Sequence, residues 1–426
     1  MSDFSRRTFN RLLGGAGLTA ATVLSAPSVV KAAQARVVVI GGGFGGATAA
    51  KYLKQFDPSI DVTLVEPNQT YTTCPFSNTV IGGMNDISFI TQSYDAMKAI
   101  GVNVVHDMAT NIDAAKKQVT LSNGKALSFD RCIVSPGIDF KYDAIKGNSE
   151  AITTKIPHAW KAGAQTLLLR KQLEAMPDGG VFLISPPPNP FRCPPGPGER
   201  ISLVANYFKA NKPKSKIIVL DPKKKFSKQG LFKEGWAKLY PDMIEYRNID
   251  DDGVVREVLA DKMTLVTDFG EVKGDVINLI PAHKAGKIAF AGGLTDKTGW
   301  CPVDQRTFES TLHKGIHVIG DASAASPMPK SGFSASSQGK ACAAAIAAML
   351  KGDAPGTPKF VNTCYSLVGP DYGISVAMVY GFDGQKITKI KGSGGLSPSG
   401  SPDAFHQREA LYADGWYRSI SQDIWG

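Results

Sequence analysis

Three cysteines lie in segments where a thiol could do chemistry. Cys193 lies in "SPPPNPFRCPPGPGER" (185–200), a loop that contains seven prolines. Cys364 lies 171 residues later in "KFVNTCYSLVGPDYG", and Cys74 lies in "YTTCPFSN". Six cysteines are too few for a disulfide scaffold in a chain of this length, so each of them needs its own explanation.

The other three cysteines have simpler interpretations. Cys132 falls in an apolar strand and Cys342 in an alanine-rich helix, where thiols behave as small hydrophobic groups. Cys301, in "TGWCPVD", stays open as a third thiol near the reaction site. His313 and His317 are four residues apart, but His317 begins a predicted strand, so we predict no metal site.

The proline loop occupies the place of a nucleotide phosphate loop. An apolar strand (181–184) precedes it, and "ISLVANYF" predicts a helix after it. Proline has no backbone N–H to offer a phosphate, and it stiffens the loop that carries Cys193. Asp221 could still bind a ribose, and the lysines at 223–225 behind it are expected to be a solvated run. We therefore predict a nucleotide-like fold without NAD.

A glycine motif near position 40 predicts a dinucleotide site. Gly41, Gly43 and Gly46 fit G-x-G-x-x-G between a predicted strand and helix, and Glu66 ends the next strand twenty residues after Gly46. The glycines allow a tight turn and close approach to a pyrophosphate at the helix N-terminus. Glu66 is placed to bind ribose hydroxyls.

Two further segments indicate that the dinucleotide is FAD. "GIHVIGD" ends in Asp321 and resembles the second FAD motif of flavoproteins with two dinucleotide domains, in which this aspartate holds the ribityl chain. "FDRCIVSPGI" contains Gly137 and resembles the segment where the chain leaves the FAD domain.

The order of these motifs predicts an α/β fold. We expect two Rossmann-like dinucleotide-binding folds, as in glutathione-reductase-like FAD/NAD-linked flavoproteins, followed by a small C-terminal α+β domain. The predicted parts are an export signal (1–32), a discontinuous FAD-binding domain (36–145 and 284–355), a NAD-like domain without a nucleotide site (146–283), and a C-terminal interface domain (356–426).

The N-terminal segment and the charge indicate where the protein works. Ser5, Arg6, Arg7 and Phe9 resemble a twin-arginine export signal, with cleavage after Ala32 or Ala35, which predicts a periplasmic protein. Removing 1–32 takes away four of 48 basic and one of 38 acidic residues, and a net charge of +7 remains. This positive charge suits an anionic substrate. The sequence contains no clusters of aromatic and basic residues of the kind typical of nucleic-acid binding. After residue 32 it also contains no run of 18 apolar residues.

Together the FAD motifs and "RCPPGPGER" resemble the flavoprotein subunit of flavocytochrome c sulfide dehydrogenase, a family related to the sulfide:quinone oxidoreductases. The resemblance implies a thioether from Cys74 to the 8α-methyl group of the flavin. It also implies a redox-active disulfide between Cys193 and Cys364, which hydrosulfide attacks. Glu199, near the start of the helix after Cys193, is a candidate base, or else an acid that the helix dipole favours.

The resemblance further implies a heterodimer with a c-type cytochrome that carries the haem. The chain itself contains no C-x-x-C-H motif. Trp416, Tyr417 and Trp425 could form part of the interface, or they could fill the core of the C-terminal domain. Two alternatives stay open: a sulfide:quinone oxidoreductase-like enzyme, and a flavin electron-transfer subunit without its own substrate chemistry.

Overall fold

The computed structural model of the protein describes residues 34–426, so the predicted export signal lies outside the described residues. The strands in this range are β1 (Arg36–Ile40), β2 (Asp61–Val65), β3 (Thr70–Thr72), β4 (Thr91–Ser93), β5 (Asn103–Val105), β6 (Ala109–Asp113), β7 (Gln118–Leu121), β8 (Ala126–Ser128), β9 (Arg131–Val134), β10 (Ile138–Lys141), β11 (Val181–Ser185), β12 (Lys216–Leu220), β13 (Ile244–Arg247), β14 (Glu257–Leu259), β15 (Thr264–Val266), β16 (Glu271–Lys273), β17 (Val276–Leu279), β18 (Ala282–Ala285), β19 (Ile316–Val318), β20 (Lys359–Gly369), β21 (Tyr372–Phe382), β22 (Ile387–Lys389) and β23 (Gly395–Leu396). The α-helices are α1 (Phe44–Phe56), α2 (Ser77–Ile81), α3 (Asp95–Ala99), α4 (Ala164–Ala175), α5 (Gly196–Asn211), α6 (Gln229–Leu239), α7 (Lys287–Ala291), α8 (Gly332–Lys351) and α9 (Asp403–Trp425).

The first large sheet is parallel, in the order β19-β9-β1-β2-β5. Its central strand β1 is an apolar run that is buried from Val37 to Ile40, as expected where helices cover both faces of a sheet. Strand β19 joins this sheet after the second large sheet has been completed, so the first fold is built from two separate parts of the chain. Helices α1 and α8 pack closely, since a Cβ on Gly339 would lie 2.6 Å from the Gly45 carbonyl oxygen.

The second large sheet is also parallel, in the order β13-β12-β11-β17. Its strand β11 leads directly into the proline loop, and α5 begins at the end of that loop. The buried side chains of Phe182 and Ile184 on β11 pack with Val204 and Phe208 on α5. This packing anchors both ends of the loop that carries Cys193.

The C-terminal part is an antiparallel sheet, with β20 paired to β21 and both β22 and β23 paired to β21. Helix α9 packs against β20 and β21, and β20 also contacts α5. The predicted class, two Rossmann-like folds with a small C-terminal α+β part, is confirmed. Among the helices of residues 34–426, none is long and apolar enough to cross a membrane.

Candidate active site

One cavity brings together three of the predicted reactive residues. Cys74, Cys193 and Cys364 all line it, together with Glu199. All three cysteines are partly buried, and none of them is bonded to another cysteine, so the structure describes the Cys193–Cys364 pair in its reduced form. The chain therefore gathers at one place three sulfur atoms from segments that are far apart in the sequence.

Cys193 is held by backbone contacts at a strained position. Its φ is +58°, in the left-handed region that a side chain with a Cβ rarely adopts. Its N–H donates to the Lys330 carbonyl oxygen at 2.7 Å, and its own carbonyl oxygen accepts from the Gly196 N–H at 2.8 Å. A Cβ at Gly196 would lie 3.0 Å from the Cys193 Sγ, so a glycine there leaves room for the sulfur. Burial raises the pKa of the Cys193 thiol.

Cys364 lies in the middle of β20, opposite Val376 of β21. The Asn362 Nδ2 donates to its Sγ at 3.3 Å. Burial raises the pKa of the Cys364 thiol, while the bond from Asn362 and the charge of Lys228 oppose that rise. A regular strand therefore fixes one thiol, and a stiff loop fixes the other.

Glu199 lies in the first turn of α5, and two donors hold its carboxylate. Oε2 accepts from the Asn78 Nδ2 at 2.8 Å, and Oε1 accepts from the Leu367 N–H at 2.9 Å. Burial raises the pKa of this carboxyl group, although both hydrogen bonds favour the charged form. The carboxylate therefore faces the cavity and also ties α5 to β20.

The third cysteine of the cavity, Cys74, follows β3 and donates from its Sγ to the Trp160 carbonyl oxygen at 3.6 Å. Trp160 also lines the cavity. The buried Cys132, Cys301 and Cys342 are not among the residues that line it. The possibility that Cys301 is a third thiol of this site therefore finds no geometric support.

The glycine turn after β1 leaves no space for side chains. Gly41 has a φ of +97°, and a Cβ on it would lie 2.3 Å from the Ser135 carbonyl oxygen. A Cβ on Gly46 would lie 1.9 Å from the Gly41 carbonyl oxygen. Gly43 is the N-cap of α1 and offers no side-chain bond to the first turn. The N–H groups at this helix start therefore have no side-chain cap and can face an anion.

Two carboxylates lie near this turn and near the start of α8. Glu66 is buried at the end of β2, and its Oε2 accepts from the Gly42 N–H at 2.9 Å. Asp321 lies in a short turn after β19, and burial raises its pKa. Its Oδ2 lies 3.8 Å from an Arg192 nitrogen, whereas its buried Oδ1 has no hydrogen-bond partner within the described residues. Gly137 has a φ of +65°, and a Cβ added to it would lie 3.9 Å from the Nη1 of the same arginine.

Three family profiles match successive parts of the chain. They are pyridine nucleotide-disulphide oxidoreductase over 35–169, sulfide dehydrogenase (flavocytochrome c) flavoprotein chain, central, over 166–281, and flavocytochrome c sulphide dehydrogenase, flavin-binding, over 356–425. A stretch of 45 residues, 11% of this chain, is 71% identical to the sulfide dehydrogenase (flavocytochrome c) flavoprotein chain of Chlorobaculum thiosulfatiphilum and covers 94% of that sequence.

The chain belongs to the flavoprotein family of flavocytochrome c sulfide dehydrogenases. This flavoprotein family is related to the sulfide:quinone oxidoreductases. The mitochondrial enzyme of that name from Mus musculus is 24% identical over 310 residues, which are 67% of this chain. The chain spans 65% of the length of that relative. A solved sulfide:quinone oxidoreductase structure from Aquifex aeolicus has a TM-score of 0.70 at 16% identity, with 91% of this chain and 92% of that one covered, and shows the same fold.

The residues of this flavoprotein fit the FAD that the family implies. The bare helix start at Gly43 suits the pyrophosphate, and Glu66 suits a ribose. The unpaired Oδ1 of Asp321 is a buried acceptor that a cofactor hydroxyl would satisfy. Of these three features, the uncapped helix start and the Asp321 Oδ1 have no partner within the described residues, whereas Glu66 is already held by the Gly42 N–H and by Asn68.

In the nucleotide-like fold, side chains of the protein itself bond to Asp221, the residue that could have bound a ribose. The Lys223 Nζ lies 2.6 Å from the Asp221 Oδ1 and donates to the Pro187 carbonyl oxygen at 2.8 Å. The Tyr246 hydroxyl donates to the Asp221 Oδ2 at 2.7 Å. The expectation that the lysines at 223–225 are all solvated is wrong for Lys223, because it forms a buried ion pair with Asp221.

Sequence reasoning missed two cations of the active site. Arg200 is fully buried at the cavity wall, and the Lys228 side chain bonds to the strand that carries Cys364. Arg200 follows Glu199 directly, but nothing in its type or spacing distinguishes it from a surface arginine. At the tail, Tyr417 and Trp425 are buried and Trp416 lines the cavity, so these aromatic residues fill the interior and are not an exposed interface.

Proposed function

We propose that the chain oxidises hydrosulfide with the Cys193–Cys364 pair and passes the electrons through FAD to a c-type cytochrome subunit. The observation that carries this proposal is the meeting of Cys193 and Cys364 in one cavity, with Cys74 on the same wall. Family membership supports the substrate and the partner, because the matching profiles describe the flavoprotein chain of a sulfide dehydrogenase that is a flavocytochrome c.

The sulfur chemistry begins from a disulfide between Cys193 and Cys364. Hydrosulfide attacks one sulfur, the S–S bond breaks, and the products are a persulfide on one cysteine and a thiolate on the other. A second hydrosulfide then removes the outer sulfur as the hydrogen disulfide anion, HSS⁻, which leaves the pair as one thiol and one thiolate. When the pair re-forms its disulfide it loses two electrons and one proton, so two HS⁻ ions yield one HSS⁻ ion, one proton and two electrons.

Glu199 is the group of the cavity wall that can hold the released proton. Burial raises its pKa, which makes its carboxylate a stronger base than that of an exposed glutamate. Asn78 and the Leu367 N–H orient the carboxylate. The same bonds mean that Glu199 also positions β20, so its two roles are not exclusive.

FAD, when bound, would supply a two-electron acceptor for this pair that can also pass single electrons to an external carrier. The glycine turn, Glu66 and Asp321 would hold it, and Cys74 would form a thioether with it. Asp221 is already paired with Lys223, and the prolines around Cys193 offer no N–H groups to a phosphate, and both features support a reaction without NAD. The proposed electron acceptor is therefore a cytochrome. Its haem would be attached to that partner, because this chain contains no C-x-x-C-H motif.

The function is tested by adding sulfide anaerobically to the purified flavoprotein and following the flavin absorbance. We expect bleaching by sulfide, followed by reoxidation with cytochrome c. An unbleached flavin contradicts sulfide oxidation and leaves the electron-transfer subunit as the explanation. Reoxidation by decyl-ubiquinone but not by cytochrome c favours the quinone-linked alternative. The 24% identical mouse relative is a sulfide:quinone oxidoreductase.

Replacement of Cys74 tests the covalent link. In the Cys74→Ser protein, flavin fluorescence is expected to disappear from the denatured band on a gel, because a serine hydroxyl does not form the thioether. Native protein should still contain FAD, since the glycine turn, Glu66 and Asp321 are unchanged. Cys301→Ser is the control, and its denatured band should stay fluorescent. Fluorescence that survives in Cys74→Ser would rule out attachment at this residue.

We also propose that the protein acts in the periplasm after twin-arginine export. The paired arginines at positions 6 and 7 support this location. A reporter fused after residue 35 should reach the periplasm, and an Arg6→Lys, Arg7→Lys version of the same fusion should stay in the cytoplasm.

A further inference from the structure

A buried lysine next to the cysteine pair has no role in the chemistry above. Lys228 immediately precedes α6, has a φ of +61° and is 5% exposed. Its Nζ donates to the Cys364 carbonyl oxygen at 2.9 Å and to the Ser366 hydroxyl at 2.8 Å. A third bond, at 3.2 Å, goes to the Ile374 carbonyl oxygen on β21. These three bonds use every proton of the ammonium group.

All three acceptors of Lys228 are neutral, which is unusual for a buried cation. Within the described residues Lys228 forms no ion pair with a carboxylate, and its three bonds go to two carbonyl oxygens and a hydroxyl. Burying an unpaired ammonium is costly unless other groups compensate for the lost hydration. The bonds to two carbonyls and a hydroxyl satisfy its protons but do not neutralise its charge. A cation here is therefore better explained by a negative charge that forms nearby during the reaction.

The charged groups around Lys228 identify where that negative charge forms. Burial lowers the pKa of Lys228 to about 8, and the charges of Cys364, Glu199, Cys193 and Glu409 oppose the change, with Cys364 the strongest of the four. The amine is then still mainly protonated at neutral pH. Its Nζ also bonds directly to the carbonyl oxygen of Cys364, so Cys364 is the ionisable residue that this cation contacts.

The two sulfur atoms of the pair have different surroundings. Cys364 receives a hydrogen bond from Asn362, and the charge of Lys228 favours its ionised form. For Cys193, the negative charges of Cys364, Glu199 and Cys74 act with burial against ionisation, and only Arg192 opposes them. A negative charge is therefore better supported on Cys364 than on Cys193.

We propose that Lys228 is a positioning residue for Cys364, which fixes its strand segment and keeps a positive charge beside its sulfur. The proposal rests on the function proposed above. When hydrosulfide opens the disulfide, Cys364 becomes either the thiolate or the persulfide, and an ionised persulfide is also an anion. Lys228 stabilises the negative charge in both cases, so the assignment does not depend on which sulfur is attacked.

The position of Lys228 explains how the fold holds the pair together. Lys228 and Glu199 belong to the nucleotide-like fold, and both bond to the same short segment of β20. Lys228 bonds to Cys364 and Ser366, and Glu199 accepts from the Leu367 N–H. Two side chains of opposite charge thus attach the strand that carries Cys364 to the fold that carries Cys193.

The test measures the ionisation of each thiol in the reduced, flavin-loaded protein. Short pulses of iodoacetamide across a pH series, followed by peptide mass spectrometry, give separate alkylation rates for Cys364 and Cys193. In Lys228→Met we expect the Cys364 profile to move to higher pH, with a rate about tenfold lower at pH 8, which corresponds to one pKa unit. Lys228→Arg retains the charge and should stay close to the wild type.

Lys223→Met is the matched control, because Lys223 is also buried and lies five residues away, but bonds to Asp221 and Pro187. It should leave the Cys364 profile unchanged. Glu199 also feels the charge of Lys228 and acts on Cys364, so a Glu199→Gln, Lys228→Met double variant compared with Glu199→Gln separates the direct effect of Lys228 on Cys364 from an effect through Glu199. Thermal melting of each variant identifies any loss of folding.

Three results would overturn the proposal: an unchanged Cys364 profile in Lys228→Met, an equal shift for Cys193 and Cys364, or a Lys228→Arg protein that behaves like Lys228→Met. The readout does not require sulfide turnover. A flavin that sulfide fails to bleach would therefore contradict the proposed function, while the alkylation profiles would still decide the role of Lys228.

Discussion

Cys193→Ser and Cys364→Ser are each expected to lower the rate of flavin reduction by sulfide by several orders of magnitude, as removal of a covalent reacting group does in other enzymes. The reason is that serine matches the size of cysteine but cannot form the S–S bond that hydrosulfide would open in the mechanism proposed above. Stopped-flow absorbance of the flavin under anaerobic conditions measures the rate directly. The flavin content should not change, because the glycine turn, Glu66 and Asp321 lie outside the pair.

Cys301→Ala is the control for this prediction. Cys301 is fully buried and does not line the cavity, so its replacement should leave the rate close to that of the wild type. If either serine variant at Cys193 or Cys364 keeps the wild-type rate, the disulfide mechanism is wrong even if sulfide still bleaches the flavin. A rate that falls only in Cys301→Ala would move the reactive thiol to that position.

Local backbone requirements explain what the sequence could predict. Gly41 needs a positive φ, and Gly46 meets a backbone oxygen, so the motif that contains both could be recognised from a few adjacent residues. Asp321 was identifiable for a similar reason, because it ends a short apolar strand within a known type of segment. Features that depend on residues close in the chain were predictable.

Contacts between distant segments explain what could not be predicted. The three acceptors of Lys228 lie 136 to 146 residues further along the chain, and no local pattern marks them. Lys223 belongs to a run of three lysines that looks solvated, yet it bonds to Asp221 two positions earlier because a turn folds the pair inward. A lysine is normally exposed, so the sequence predicts exposed side chains for Lys223 and Lys228. Both are buried because of contacts that only the folded structure brings together.

Arg200→Met is expected to destabilise the protein by about 3 kcal/mol, because it leaves several buried acceptors without donors. The guanidinium is 1% exposed and lies 4.7 Å from the Trp160 ring centre. Its Nε and Nη1 donate to the side-chain oxygens of Asn78 and Asn278 at 3.0 and 2.9 Å. It also donates to the carbonyl oxygens of His158 and Ala159, at 3.1 and 2.6 Å.

Methionine fills much of the same volume, so the loss measures hydrogen bonds rather than a cavity. Loss of the buried cation relieves part of its desolvation cost, which is why we expect less than the sum of four lost bonds. Urea unfolding measures the free-energy difference, and Arg256→Met is the control, since Arg256 pairs with Asp268 on the surface and should change the stability little. An Arg200→Met protein as stable as Arg256→Met would contradict the prediction. Because Arg200 bonds to the segment whose Trp160 carbonyl oxygen contacts Cys74, the proposed thioether at Cys74 should also form less completely in a destabilised variant.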